Sequence, residues 1–177
     1  MSKLMQKNWI HIVIWIGMLI YVMAATPFYA RYVLKDGKPM AFNEELPQRT
    51  KRISYSLDRF DPVVLHGQSL YHLWGWAFVT GDPTSTAYER LMVLQSDNHT
   101  YFFPIADNSR PDLQNQYPEL DLPLNTGFSV HISKDAIAHG VYRLGFLFKH
   151  RENDTRYYLL TNEKIMRTPN KLQLVAR

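Results

Sequence analysis

Four carboxylates, Asp107, Asp112, Glu119 and Asp121, fall in the segment Asp107–Thr126, beside Asn108 and Asn115. Oxygen donors at this density suit calcium, which takes six to eight of them. Two acids facing each other across a cleft would also serve glycosidic cleavage. No EF-hand spacing organises the four, so the simpler reading is a solvated acidic loop. Arg110-Pro111-Asp112 then reads as a turn closed by a local Arg–carboxylate bond. Seven histidines (His11, His66, His72, His99, His131, His139, His150) show no i, i+4 pair. A helical metal site is not written into them, while a cross-strand pair stays open. No catalytic residue, cofactor or metal is assigned, and the four acids stand as weak calcium candidates.

Leu70–Val79 (LYHLWGWAFV) holds the second chemical possibility. As a strand it puts Leu70, His72, Trp74, Trp76 and Phe78 on one side and Tyr71, Leu73, Gly75, Ala77 and Val79 on the other. Two indoles on an exposed face would stack on sugar rings. Buried aromatics dominate sandwich cores, so the favoured expectation is that Trp74 and Trp76 face the core, with Tyr71, Leu73 and Val79 beneath the long loop. Trp74, Trp76, Tyr101, Arg110, Tyr117 and Tyr157 are the candidate contacts for a partner or a glycan.

The chain has no cysteine, which excludes disulfide scaffolds, thiolate zinc sites and cysteine nucleophiles. Nucleophile elbow, HExxH, phosphate-binding glycine loop and dinucleotide fingerprint are absent. The densest basic run, Arg49-Thr50-Lys51-Arg52, is flanked by Glu44, Glu45, Asp58 and Asp61, so nucleic acid is not an expected partner.

The elements that would position these residues are short. Between Arg31 and Arg177, runs rich in Val, Ile, Leu, Tyr, Phe and Trp recur between Gly, Pro, Asn and Asp clusters. They predict strands over Arg52–Phe60, Leu70–Val79, Tyr88–Ser96, Thr100–Ala106, Gly127–Ile132, Val141–Lys149, Arg156–Thr161 and Lys164–Arg167, with Lys171–Val175 as a continuation. Gly81-Asp82-Pro83, Asp97-Asn98 and Glu152-Asn153-Asp154 supply turn chemistry. The fold class is mainly β, an antiparallel β-sandwich of about 7–9 strands. Within it, Ile137-Ala138-His139-Gly140-Val141-Tyr142 resembles the tyrosine corner of immunoglobulin-like and fibronectin-type-III-like sandwiches. The resemblance implies that the Tyr142 hydroxyl bonds back to the main chain at a crossover between sheets.

Trp9–Ala30 is different in kind: 22 residues without a formal charge. As a helix it would measure roughly 33 Å, enough to span a bilayer core. The expectation is an uncleaved single-pass signal anchor over residues 1–30, a stalk over 31–50 and the sandwich over 51–177, outside the cytoplasm. Gly17, Ala24 and Ala25 offer small surfaces to neighbouring transmembrane helices. The formal charge of +4 comes from 20 basic and 16 acidic residues. Lys3 and Lys7 precede the apolar run, which leaves 18 against 16, or +2, for the rest.

Together these features predict a non-enzymatic accessory or interaction subunit of a larger cell-envelope complex. Its partners would be the lipid bilayer and integral membrane protein. A surface glycan-binding module, contacting polysaccharide through Trp74 and Trp76, is one alternative. An envelope-polymer enzyme using the 107–126 acids is another.

Overall fold

A computed structural model describes residues 14–19, 21–22, 36–82, 87–118, 122 and 124–175. The chain divides into two units, Met1–Asp36 and Gly37–Arg177. In the first, helical backbone is described at 14–19 and 21–22. The expected transmembrane helix is not seen: among the described residues no helix is long and apolar enough to cross a membrane. A crossing helix needs about 20 continuous apolar residues. Gly17 is described there, with open space around its Cα. Ala24 and Ala25 lie outside the described residues.

Among the described residues, the second unit has nine strands: β1 (Ile53–Leu65), β2 (Gln68–Val79), β3 (Tyr88–Gln95), β4 (Thr100–Pro104), β5 (Ala106–Asn108), β6 (Gly127–Ile132), β7 (Gly140–His150), β8 (Arg156–Arg167) and β9 (Leu172–Val175). They form two antiparallel sheets, ordered β1-β2-β6-β5 and β4-β3-β7-β8-β9. One apolar cluster draws on both: Leu73, Ala77, Phe128 and Val130 from the first sheet meet Met92, Leu94, Tyr142, Leu144 and Phe146 from the second. Phe128 and Tyr55 reach across to Phe146 at ring-centroid distances of 5.3 Å and 5.5 Å. The arrangement fits a β-sandwich.

Three departures from the expected strands have local causes. The run Thr100–Ala106 is not one strand. It breaks after Pro104, and β4 pairs with β3 while β5 pairs with β6, so the chain changes sheets there. β1 continues to Leu65 and turns back through His66 (φ +50°) and Gly67 (φ +77°). Two consecutive positive φ angles make the tight hairpin turn whose twist matches its strands. Pro62 lies inside β1 because β1 is an edge strand, where a missing N–H costs no ladder bond. Arg156–Thr161 and Lys164–Arg167 are one strand, joined through an irregularity opposite Arg143 and Gly145.

β2 reverses the expected orientation. Leu73, Ala77 and Val79 enter the core, so Trp74 and Trp76 take the outer face. Gly75 explains the choice. A Cβ there would stand 2.1 Å from the Ser56 carbonyl oxygen and 3.1 Å from the Phe128 ring. The bare inner side at Gly75 thus admits Phe128, and the wide indoles are left to the opposite side.

Residues 37–50, most of the expected stalk, start at Gly37, whose carbonyl accepts the Ser133 amide at 2.7 Å, and then cross the outer face of the five-stranded sheet. The Met40 amide donates to the Phe102 carbonyl at 2.7 Å, and the Thr50 amide to the Tyr158 carbonyl at 2.7 Å. Phe42 and Leu46 cover Leu91, Val93, Phe102, Leu147 and Tyr158. Glu44 accepts from Lys149 Nζ at 2.5 Å and pairs with Arg156 Nη1 at 2.7 Å.

Candidate functional site

The outer face of the four-stranded sheet gathers most of the candidate contact residues. β2 presents Trp74, Trp76 and Phe78 there, and residues 110–118, with Leu122, cover them. Pro111 starts the short helix Pro111–Gln116, where its fixed φ suits the first turn. That helix drops Leu113 onto Phe78, with Leu122 beside it and Trp76 and Tyr117 packed against the cluster. Trp76 and Phe78 stack at 5.5 Å.

Arg110 covers the other indole. Its guanidinium carbon lies 5.5 Å from the centre of the Trp74 ring, a cation–π arrangement. Nε and Nη2 donate to Asp112 at 2.9 Å and 2.7 Å, and Nη1 donates to Asp58 at 2.6 Å. The Arg110 bond holds the Asp112 carboxyl below its ordinary range, and Asp112 in turn holds the guanidinium firmly charged. Asp58 arrives there through a bulge in β1 between Leu57 and Arg59. Bulges re-aim single side chains in this way. Both indoles are therefore half-buried beneath protein groups, and neither forms an open stacking platform.

The acids are placed apart. Asp107 lies on β5 and accepts from Arg90 Nε at 3.0 Å and Nη2 at 2.5 Å. Asp112 is held by Arg110. Glu119 and Asp121 lie outside the described residues. Among the described residues, no group of three or more His, Asp or Glu is placed to hold a metal ion.

Tyr101 and Tyr157 lie elsewhere. The Tyr101 oxygen accepts the Ala138 amide at 3.1 Å, and its ring meets Tyr142 edge-on at 5.7 Å. The Tyr142 hydroxyl donates to the Ala138 carbonyl at 2.9 Å. Tyr157 accepts from Arg52 Nη1 at 2.9 Å, beneath the same guanidinium.

The cross-strand histidine pair that the sequence leaves open is formed. His72 on β2 is directly opposite His131 on β6, and the rings stack at 4.8 Å, with His72 Nε2 3.0 Å from Ser129 Oγ. Asp61 on β1 is the third member of this cross-strand row. The strand assignment for Leu70–Val79 was the available signal. The register that pairs it with β6 was not.

No family model matches the chain, and neither a curated protein nor a solved structure resembles it significantly.

Proposed function

We propose that this chain is a non-enzymatic interaction subunit, in which a β module carries an apolar helical segment that a protein partner covers within a larger complex. The observation that carries this is the exposure of Ile14, Trp15, Ile16, Met18, Leu19 and Tyr21, with Trp15 at 71% and Leu19 at 64%. At about 100° per residue these side chains surround the helix, and a helix apolar all round requires an apolar cover. Gly17 adds a place where a second backbone can approach closely. The open aromatic platform a glycan module needs is not offered by the half-buried Trp74 and Trp76, which weighs toward a protein partner.

The β module is read as an immunoglobulin-like or fibronectin-type-III-like sandwich. Two features support this. The order β1-β2-β6-β5 corresponds to strands A-B-E-D of such folds, and β3-β7-β8 to C-F-G. Tyr142, near the start of the strand equivalent to F, bonds back four residues to Ala138. That architecture hosts many functions, so it describes the scaffold and not the partner.

Affinity purification of the full chain from its own cells, in a mild non-ionic detergent, is expected to return a second protein at fixed stoichiometry. Ile16→Asp and Leu19→Asp are expected to release it while leaving the β module's unfolding transition in place. A chain recovered alone overturns the reading. So does flotation of the purified chain with phosphatidylglycerol vesicles when no protein accompanies it.

A further inference from the structure

At one end of the five-stranded sheet's outer face, beyond the cover provided by Phe42 and Leu46, lies an open recess of about 520 Å³. This is within the range of small-molecule sites, but its lining is mainly polar. Arg49, Arg143 and Lys164 contribute three permanent positive charges, and His99 and His139 stand with them. Asp97 is the one carboxylate among the described lining residues. Three cations against one anion leave a local excess of two positive charges.

The cations are positioned by the sheet. Gln95, Arg143 and Lys164 occupy one row across β3, β7 and β8. Arg143 sits at the irregularity between β7 and β8, where ladder carbonyls lose their partners. Its Nε and Nη2 donate to the Thr161 carbonyl at 3.0 Å and 2.9 Å. These bonds fix the guanidinium while leaving Nη1 out of them. Arg49 is anchored through its main-chain bridge to Tyr158. Among the described residues, neither Arg49 nor Lys164 has an ion-pair partner, whereas Arg90, Arg110, Lys149, Arg156 and Arg167 all do. A fixed guanidinium flanked by two unpaired cations is a receptor for oxyanions, because charge-assisted bonds to phosphate or sulfate need donors that are already oriented.

We infer that this recess binds a small soluble organic molecule bearing a phosphate or sulfate ester, with the oxyanion held among Arg49, Arg143 and Lys164. The volume exceeds what a single oxyanion fills, and the half-exposed Val141 and Leu160 offer an apolar wall to the rest of the ligand.

The test is calorimetric titration of the full chain, in non-ionic detergent, with inorganic pyrophosphate and with inorganic sulfate, against sodium chloride at matched ionic strength. Saturable binding of either oxyanion, without saturable chloride binding, is expected. Arg49→Gln and Lys164→Gln should each weaken it about tenfold. Both side chains are exposed, so neither change touches the core. Lys171→Gln, an exposed lysine outside the recess, should leave affinity unchanged. Absence of saturable binding overturns the inference. Equal loss in the Lys171 variant overturns it too, since that would mean diffuse attraction to surface charge.

Discussion

Arg90 on β3 is ion-paired with Asp107 on β5, so one guanidinium joins the two sheets. Arg90 is only 4% exposed and also donates to the Ala77 carbonyl at 3.0 Å and the Gly127 carbonyl at 2.8 Å, both in the opposite sheet. Its carbon lies 5.9 Å from the centre of the Phe148 ring. A buried charge is tolerable only when paired and hydrogen-bonded. Here the partners are main-chain oxygens near the place where the chain changes sheets.

Removal of this residue should therefore be costly. Arg90→Met leaves Asp107 and the Ala77, Thr126 and Gly127 carbonyls without their donor and is expected to lower stability by about 3–5 kcal/mol. Asp107→Asn keeps an acceptor but leaves the buried Arg90 charge without its counter-ion, and should cost about 2–3 kcal/mol. Urea denaturation midpoints at constant m-value check the order. Equal losses for the two variants would show that Arg90 acts through its carboxylate alone.

Alkaline pH should weaken the fold. Burial raises the Tyr88, Tyr142 and Tyr158 hydroxyls above the ordinary tyrosine value, with the Asp82 bond adding to the effect at Tyr88. A raised folded-state value means that the fold holds protons the unfolded chain releases. Their stabilising share is complete below about pH 10 and is lost as pH rises through the raised values. Tyr142→Phe should cost about 1 kcal/mol at neutral pH, through the lost bond to Ala138, and should make the alkaline decline shallower. Thermal unfolding across the alkaline range measures both.

Acid acts on a different part of the molecule. Lys149 and Arg156 hold Glu44 below its ordinary value. The Glu44 contribution is full above about pH 4.5 and falls away as pH drops through the depressed value. Hydrogen exchange at the Met40 and Thr50 amides, which tie the 37–50 segment to the sheet, should quicken on acidification before exchange in β7 does. Glu44→Gln should quicken it already at neutral pH. Unchanged protection in that variant would assign the segment's attachment to Phe42 and Leu46.

The helix over the outer face should behave as a lid on aromatic surface. Leu113 is buried against Phe78, and Leu113→Ala is expected to cost about 2–3 kcal/mol, toward the lower end for a buried leucine because a short surface helix can settle into the gap. Acrylamide quenching of tryptophan fluorescence should rise in the same variant as Trp76 is uncovered. Loss of stability without added quenching would mean that the helix stays in place.

Much of the β unit was readable because strands write a period of two into their residues. Gly127–Ile132 coincides with its predicted bounds, and Leu70–Val79 with β2 apart from two added residues. The hairpin through His66-Gly67 carries no Asn-Gly, Asp-Gly or Gly-Gly pair, the usual mark of such a turn, and so is not legible in the sequence. The sheet change after Pro104 is hidden in the sequence because the apolar run from Tyr101 to Ala106 continues through it.

Sequence alone determined the β class, the positions of most strands and the Tyr142 bond, whose partner is only four residues away. It also determined which side chains of β2 share a face. It could not say which face meets the second sheet, because both sides are apolar and the decision lies with Gly75, Phe128 and the helix at Pro111. Nor could it bring Arg90 to Asp107, Asp58 to Arg110, or Arg49, Arg143 and Lys164 to one recess. Those meetings depend on register between strands, set by bulges and core packing that no local pattern records.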